Sequence, residues 1–286
     1  MANLSDIKRR IKSVKNTQQI TKAMKMVSAA KLRRAQENII AARPYADKMQ
    51  EMITSLSTKV PPESHPLFSS TESGKVELIL ITSDRGLCGG FNSGLIRKAL
   101  RFIEENSDKK ISLSLLGRRA VDHFKKSEIP KTKATELGNK RPSYDFAAGI
   151  ASEIISAYTA EEEGTEEVHI IYSAFQSALV QTPVVQKILP MIPPETEAEE
   201  VTELLFEPSP EGVLDSLLPR YVEVQIFRAL LESSASEHGA RMTAMESATS
   251  NASTMIDSLT LIYNRARQAA ITGELMEIIS GSEALK

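Results

Sequence analysis

Apolar and small side chains recur with a seven-residue period along the first part of the chain. Leu4, Ile11, Gln18, Lys25, Leu32 and Ile39 share one position, and Ile7, Val14, Thr21, Ser28, Ala35 and Ala42 share its partner. Such a repeat draws a stripe down one side of a helix. The first glycine is Gly74, and the only earlier prolines are Pro44, Pro61, Pro62 and Pro66. The pattern therefore predicts one helix over residues 3–58, with Asn3 or Ser5 as N-cap. A kink is expected near Pro44, where the ring removes a donor and crowds the preceding turn. At 1.5 Å per residue such a helix would be about 80 Å long, too long to fold into a compact domain.

The far end repeats the theme. Arg220 to Thr272 contains no proline and one glycine, Gly239. His238, Met245, Ala252, Leu259 and Ala266 alternate with Met242, Thr249, Ile256, Tyr263 and Ala270. A second long helix follows, thinned or frayed at Gly273. Neither seam is a Leu/Ile zipper. The first is polar at Gln18, Thr21, Lys25 and Ser28, with Ile20, Met24 and Val27 to its side, and the second is rich in Ala, Ser and Thr. Small residues allow close approach but bury little area, so at roughly 25 cal/mol per Å² the seam is weak. Two long helices from opposite chain ends, joined through a compact middle, should pair antiparallel.

Between them the period changes. Val76–Thr82, Ile111–Leu116 and Val168–Ser173 read as buried strands, with a fourth over Ala178–Leu189. Helical stretches run over Ser93–Asn106, Arg118–Lys126 and Tyr144–Glu162. Alternating strand and helix predicts a small Rossmann-like α/β layer domain. The predicted fold class is thus α/β plus a long antiparallel coiled coil. The predicted divisions are a first helix over 1–59, the α/β domain over 74–194, an acidic, proline-bearing crossover over 195–211 with an edge strand at Thr202–Phe206, and a second helix over 212–286.

Charge alters this picture through its distribution. The chain carries 35 basic and 37 acidic residues, but the segment 1–59 holds thirteen Lys/Arg against four acids. A basic front end suits an anionic partner surface. A nucleic-acid reading is poor, because aromatics make up 5% of the chain, there is no Trp, and none interleave with the basic residues. The single cysteine, Cys88, forms no internal disulfide and suits a reducing compartment. No apolar run approaches the roughly 20 residues needed to span a bilayer. The basic, amphipathic start has some likeness to an organelle transit peptide but reads better as a surface helix, and the lack of a cleavable leader points to a bacterium.

The best candidate for chemistry is Ser83–Asn92, SDRGLCGGFN, between a strand and a helix. Such a loop can cradle phosphate at a helix N-terminus. It lacks both the G-x-G-x-x-G spacing and a G-K-[ST] ending, so a tight strand-to-helix turn is the better reading. Cys88 has no histidine near it in sequence, since His65, His123, His169 and His238 are scattered. Glu161, Glu162 and Glu163 form a charge run suited to a solvated face. The methionines at 24, 26, 49, 52, 242, 245, 255 and 276 suit adaptable helix packing. No cofactor and no metal are expected.

Three stretches carry a family resemblance. Ile11–Arg34 (IKSVKNTQQITKAMKMVSAAKLRR), Asp84–Asn92 (DRGLCGGFN), and Ala240–Asn251 (ARMTAMESATSN) continuing to Tyr263–Leu275 (YNRARQAAITGEL) closely resemble the gamma subunits of F-type ATP synthases. The likeness covers nearly the whole chain in the family's order. Ser282 departs from it, standing where the family usually has Ala.

The resemblance implies a rotating central shaft without an active site of its own. The coil would stand inside a ring of three alpha and three beta subunits. The α/β domain would sit on the membrane rotor ring of c subunits beside the epsilon subunit, peripheral on the cytoplasmic face of the bacterial inner membrane. Proton flow would turn the shaft, and ATP would form in the beta subunits. By likeness to the family, Met24, Arg241, Arg267, Gln268 and Thr272 face beta subunits, and Phe206 meets the rotor ring. Chloroplast relatives carry an insert with a cysteine pair; with one cysteine, a dithiol switch is not expected here.

Overall fold

The computed structural model describes residues 4–57, 65–69, 73–138, 142–160, 164–191 and 209–284. Helix α1 spans Leu4–Ser57, continuous through Pro44. There follow β1 (Lys75–Ile81), α2 (Phe91–Glu105), β2 (Lys110–Leu116), α3 (Arg118–Phe124), β3 (Lys131–Thr135), α4 (Tyr144–Tyr158), β4 (Glu167–Phe175) and β5 (Gln181–Leu189). Helix α5 spans Pro210–Ala284. The chain divides into two compact units, Ala29–Arg241 and Met1–Ser28 with Met242–Lys286.

In the first unit the five strands form one sheet in the order β3-β2-β1-β4-β5. β1 is parallel to both β2 and β4, β2 is parallel to β3, and β5 closes the edge antiparallel to β4. Side chains alternate across the sheet, so β1 serves two cores. Val76, Leu78 and Leu80 face α2 and α3 with Leu113, Leu115, Leu95 and Phe124. Ile79 and Ile81 face the other way, with Met49, Ile53 and Leu56 of α1, Ile150 and Ile154 of α4, and Leu214, Leu218 and Val222 of α5. Burying such a side chain fully stabilises by about 1.5–3 kcal/mol, and Leu78, Leu80, Leu113 and Leu115 are wholly inaccessible.

The expected layer domain is thus present, with one strand more than predicted. β3 reads KTKAT, and three of its five side chains are exposed. It carries no apolar alternation because it is an edge, where lysines discourage pairing with another chain. β5 begins at Gln181 instead of Ala178, because Ser177 Oγ accepts the N–H groups of Leu179 (3.3 Å) and Val180 (3.1 Å) and builds a turn there. α4 stops at Tyr158, where the Thr159 N–H caps the Ile155 carbonyl.

α5 runs from Pro210 to Ala284. Ser209 Oγ accepts the Gly212 N–H at 3.1 Å, an N-cap just before Pro210, whose missing donor costs nothing in the first turn. The helix passes Pro219 and continues beyond Gly273 to Ala284, so the glycine does not end it. Most of the acidic crossover, its edge strand at Thr202–Phe206, and the Glu161–Glu163 run lie outside the described residues.

In the second unit, residues 4–28 of α1 pair with α5 from residue 242 to about residue 270. Lys25 Nζ meets Glu246 Oε1 at 2.6 Å, and Thr249 Oγ1 donates to Thr21 Oγ1 at 2.8 Å. Position falls on one helix as it rises on the other, so the pair is antiparallel. Every position of the two predicted seven-residue traces is buried or half-buried. Ile7, Thr21, Ser28, Met245 and Ala252 are the most enclosed in this unit.

Candidate functional site

The loop between β1 and α2 is held from three sides by its own side chains. Asn92 Oδ1 accepts the Ser83 N–H at 3.0 Å, and Asn92 Nδ2 donates to Cys88 Sγ at 3.1 Å. Ser83 Oγ donates to the Arg85 carbonyl at 2.7 Å. The Asp84 carboxylate accepts the backbone N–H groups of Arg118 (2.8 Å), Leu137 (3.1 Å) and Gly138, tying the loop to the ends of β2 and β3. Leu87 (φ 63°) and Gly89 (φ 57°) both take the left-handed conformation, and the Leu87 side chain is 63% exposed. A non-glycine residue in that region is uncommon. Cys88 is buried and lies within bonding distance of Ser83 and Asn92, not of any histidine.

Arg241 of α5 reaches the same loop. Its Nη2 donates to the carbonyls of Arg85 (3.4 Å) and Gly86 (3.3 Å), and its Nε to Gly86 at 3.4 Å. Nη2 also pairs with Glu237 Oε1 at 2.7 Å, one turn earlier on the helix. Burial pushes the Glu237 carboxyl above its ordinary value, and the Arg241 guanidinium pulls it back. His238, with Nδ1 3.4 Å from Arg241 Nη1, falls to about 4, first through burial and then through repulsion by Arg241 and Lys31. It is therefore neutral at pH 7 and can accept from the guanidinium.

No group of three or more His, Cys, Asp or Glu side chains suited to a metal ion occurs among the described residues. Nor is any helix among them long and apolar enough to cross a membrane.

The ATP synthase family profile matches residues 3–285. The ATP synthase gamma chain of Geobacter metallireducens is 53% identical over 290 residues, covering all of both chains, and that of Moorella thermoacetica 48% over 288 residues, again covering all of both. This chain belongs to the ATP synthase gamma chain family. Among solved structures it is similar to a chain of the Tetrahymena thermophila mitochondrial ATP synthase central stalk and c-ring. That match has 26% identity and a TM-score of 0.60, covering 80% of this chain and 99% of that one. The fold is also that of a chain in the Euglena gracilis mitochondrial ATP synthase rotor, at 20% identity and a TM-score of 0.67 over 94% of this chain and 98% of that one. A gamma chain works as the central rotor shaft of an F-type ATP synthase, a membrane-associated complex, and this is the role of the chain described here.

Within this gamma chain the residues singled out from sequence fall into distinct settings. Arg267, Gln268 and Thr272 are exposed on α5, and Gln268 and Thr272 are four apart on one helical face. Met24 is half-buried beside the seam. Arg241 is only 8% exposed, and its guanidinium bonds this chain's own loop. Phe206 lies outside the described residues. Sequence reading missed Asp84 as the loop's anchor and Glu237 as the partner of Arg241. The four-residue spacing of Glu237 and Arg241 was the available signal for the second.

Proposed function

We propose that this chain is a non-catalytic rotor subunit that couples proton flow through a ring of c subunits to conformational cycling in surrounding beta subunits. Residues 1–59 and 212–286 supply the shaft, 74–194 the layer domain near the rotor ring and epsilon subunit, and 195–211 the crossover that carries Phe206 to the ring. The assembly works at the cytoplasmic face of the bacterial membrane. The observation that carries this reading is the outer surface of the helix pair. Ile20, Met26, Val27, Met255 and Leu261 are each more than half exposed, while the seam beneath them is built of Thr21, Ser28 and Ala252. A helix pair that leaves a row of large apolar groups exposed beside a seam lined in part by hydroxyls and alanine is suited to a sleeve of other subunits, not to water.

Arg267, Gln268, Thr272 and Met24 are the contacts we assign to beta subunits. Arginine offers a planar fork of donors to a carboxylate, and glutamine both donates and accepts. The test is the ATPase rate per complex assembled with alpha and beta subunits. Arg267→Ala/Gln268→Ala should leave assembly near normal, because both side chains are exposed and Ala is the best helix former. Loss of a charge-assisted bond of about 1.5–3 kcal/mol should lower the rate roughly 10- to 150-fold. Equal rates in wild type and mutant would refute the assignment, and failed assembly would make these residues structural.

A further inference from the structure

We propose that Arg241 is an internal latch: it clamps the β1–α2 loop to α5, so that the sheet and this stretch of helix turn as one body. This rests on the rotor reading above, and Arg241 acts as a positioning residue that touches no nucleotide.

Each nitrogen of the guanidinium has a partner within this chain. Nη2 pairs with Glu237 at 2.7 Å, Nε and Nη2 bond the Gly86 carbonyl at 3.4 and 3.3 Å, and Nη1 lies 3.4 Å from His238 Nδ1. A contact with a partner subunit would need free donors on an exposed side chain, and this side chain is 10% exposed. The acceptors are backbone carbonyls at the tip of a loop that is itself anchored by the three bonds to Asp84. Force applied to the sheet thus reaches the guanidinium without first bending the loop.

Two neighbouring contacts make the same join. Ser236 Oγ donates to the Ser173 carbonyl of β4 at 3.0 Å. Gly239 lies against the β4–β5 turn, where an added Cβ would sit 3.3 Å from the Ala178 carbonyl oxygen and 3.4 Å from the Ala178 Cα. Within six residues, 236–241, the helix is therefore joined to the ends of β1, β4 and the β4–β5 turn. Of these, only the Arg241 contact has an ionised donor, and it alone reaches two carbonyls of the loop.

The experiment measures protons pumped per ATP hydrolysed in membranes carrying the full complex. Arg241→Ala should lower that ratio at least threefold while ATP hydrolysis per complex continues. A covalent substitute should then restore it. In the Arg241→Ala background, Ala178→Cys with Gly239→Cys sets two cysteines on backbones in contact, a Gly239 Cβ lying 3.4 Å from the Ala178 Cα, and their cross-linking is verified by mass spectrometry. Oxidation should bring the ratio back to within twofold of wild type, and reduction should abolish the gain. Should Arg241→Ala fail to assemble, Arg241→Lys replaces it in the same comparison. It keeps a cation for Glu237 but loses the fork that spans both carbonyls.

A fully coupled Arg241 variant would overturn the latch. So would a disulfide that forms without restoring the ratio, because Arg241 would then act on a partner subunit. If the wild-type chain did not assemble with alpha and beta subunits, the rotor reading would fall instead. The latch would still be read in the free full-length chain, where Arg241→Ala should speed amide exchange at residues 85–90 at least tenfold, and unchanged exchange would refute it.

Discussion

Glu167 offers the most quantitative check on the forces holding the layer domain. Its side chain is 20% exposed at the start of β4, ringed by Lys187 Nζ at 2.9 Å, His169 Nε2 at 3.1 Å and Lys109 Nζ at 3.1 Å. Burial by itself would raise the carboxyl's pKa. Hydrogen bonds from Lys187, His169 and Lys109 outweigh it and bring the pKa from 4.5 down to about 2. The same contact holds Lys109 above its ordinary value, while burial keeps His169 below its own. At 1.36 kcal/mol per pKa unit, the ionised carboxylate stabilises the fold by about 3 kcal/mol. Because the native pKa is depressed, that contribution is complete above pH 4.5 and is lost as pH falls towards about 2. His169 acts in the same direction. Its native pKa lies below 6.5, so the unfolded chain takes up a proton first and stability drops as pH falls below 6.5. Glu167→Gln keeps the shape and removes the charge. Urea unfolding followed by hydrogen exchange in β1 and β4 should show a deficit of about 3 kcal/mol at pH 7 that shrinks steadily below pH 5. Equal stability at pH 7, or a deficit that ignores pH, would refute the electrostatic account.

Two further outcomes follow from other features. In Gly117→Ala the new Cβ would lie 2.2 Å from the Thr82 carbonyl oxygen at φ +102°, so the β2–α3 turn must move. A loss of about 4 kcal/mol or more, read by urea melting, is expected, and a native-like melt would disprove the close approach. Met24→Lys places an ammonium beside the seam of the helix pair, where it can find a beta carboxylate in one rotary position. A pair worth about 1–2 kcal/mol would deepen that position roughly 5- to 30-fold, and a normal yield of ATP per proton in mutant membranes would count against it.

The fold was legible wherever burial imposed a period. Both seven-residue traces predicted enclosed positions down to Ala270, because a residue facing another helix must be small or apolar whatever its function. The buried strands β1, β2 and β4 announced themselves by runs such as VELILI, where both faces are covered. β3 did not, because an edge strand needs no apolar side chains and KTKAT looks like a loop. At α5 a proline in the first turn, Pro210, breaks nothing, and Pro219 is accommodated within the helix. Arg267, Gln268 and Thr272 are exposed, whereas Arg241 is buried. Sequence shows that an arginine carries donors but not which acceptors the fold will bring to it, and the carbonyls of Arg85 and Gly86 are more than 150 residues away along the chain.

The hydroxyl pair in the helix seam bears on a different hazard. A smooth surface of Ala, Ser and Thr offers little resistance to one helix sliding along its neighbour, and a twisted pair under load will slide if it can. Thr21 and Thr249 meet at 2.8 Å, with the carbonyls of Gln18 and Met245 as further acceptors, and Lys25 meets Glu246 one turn away. Displacement by a single turn, about 5.4 Å, would set Thr249 against a different neighbour and part the ion pair. The polar pair therefore works as a tooth in a slot: it adds little to holding the helices together, yet it makes one alignment cheaper than every shifted one.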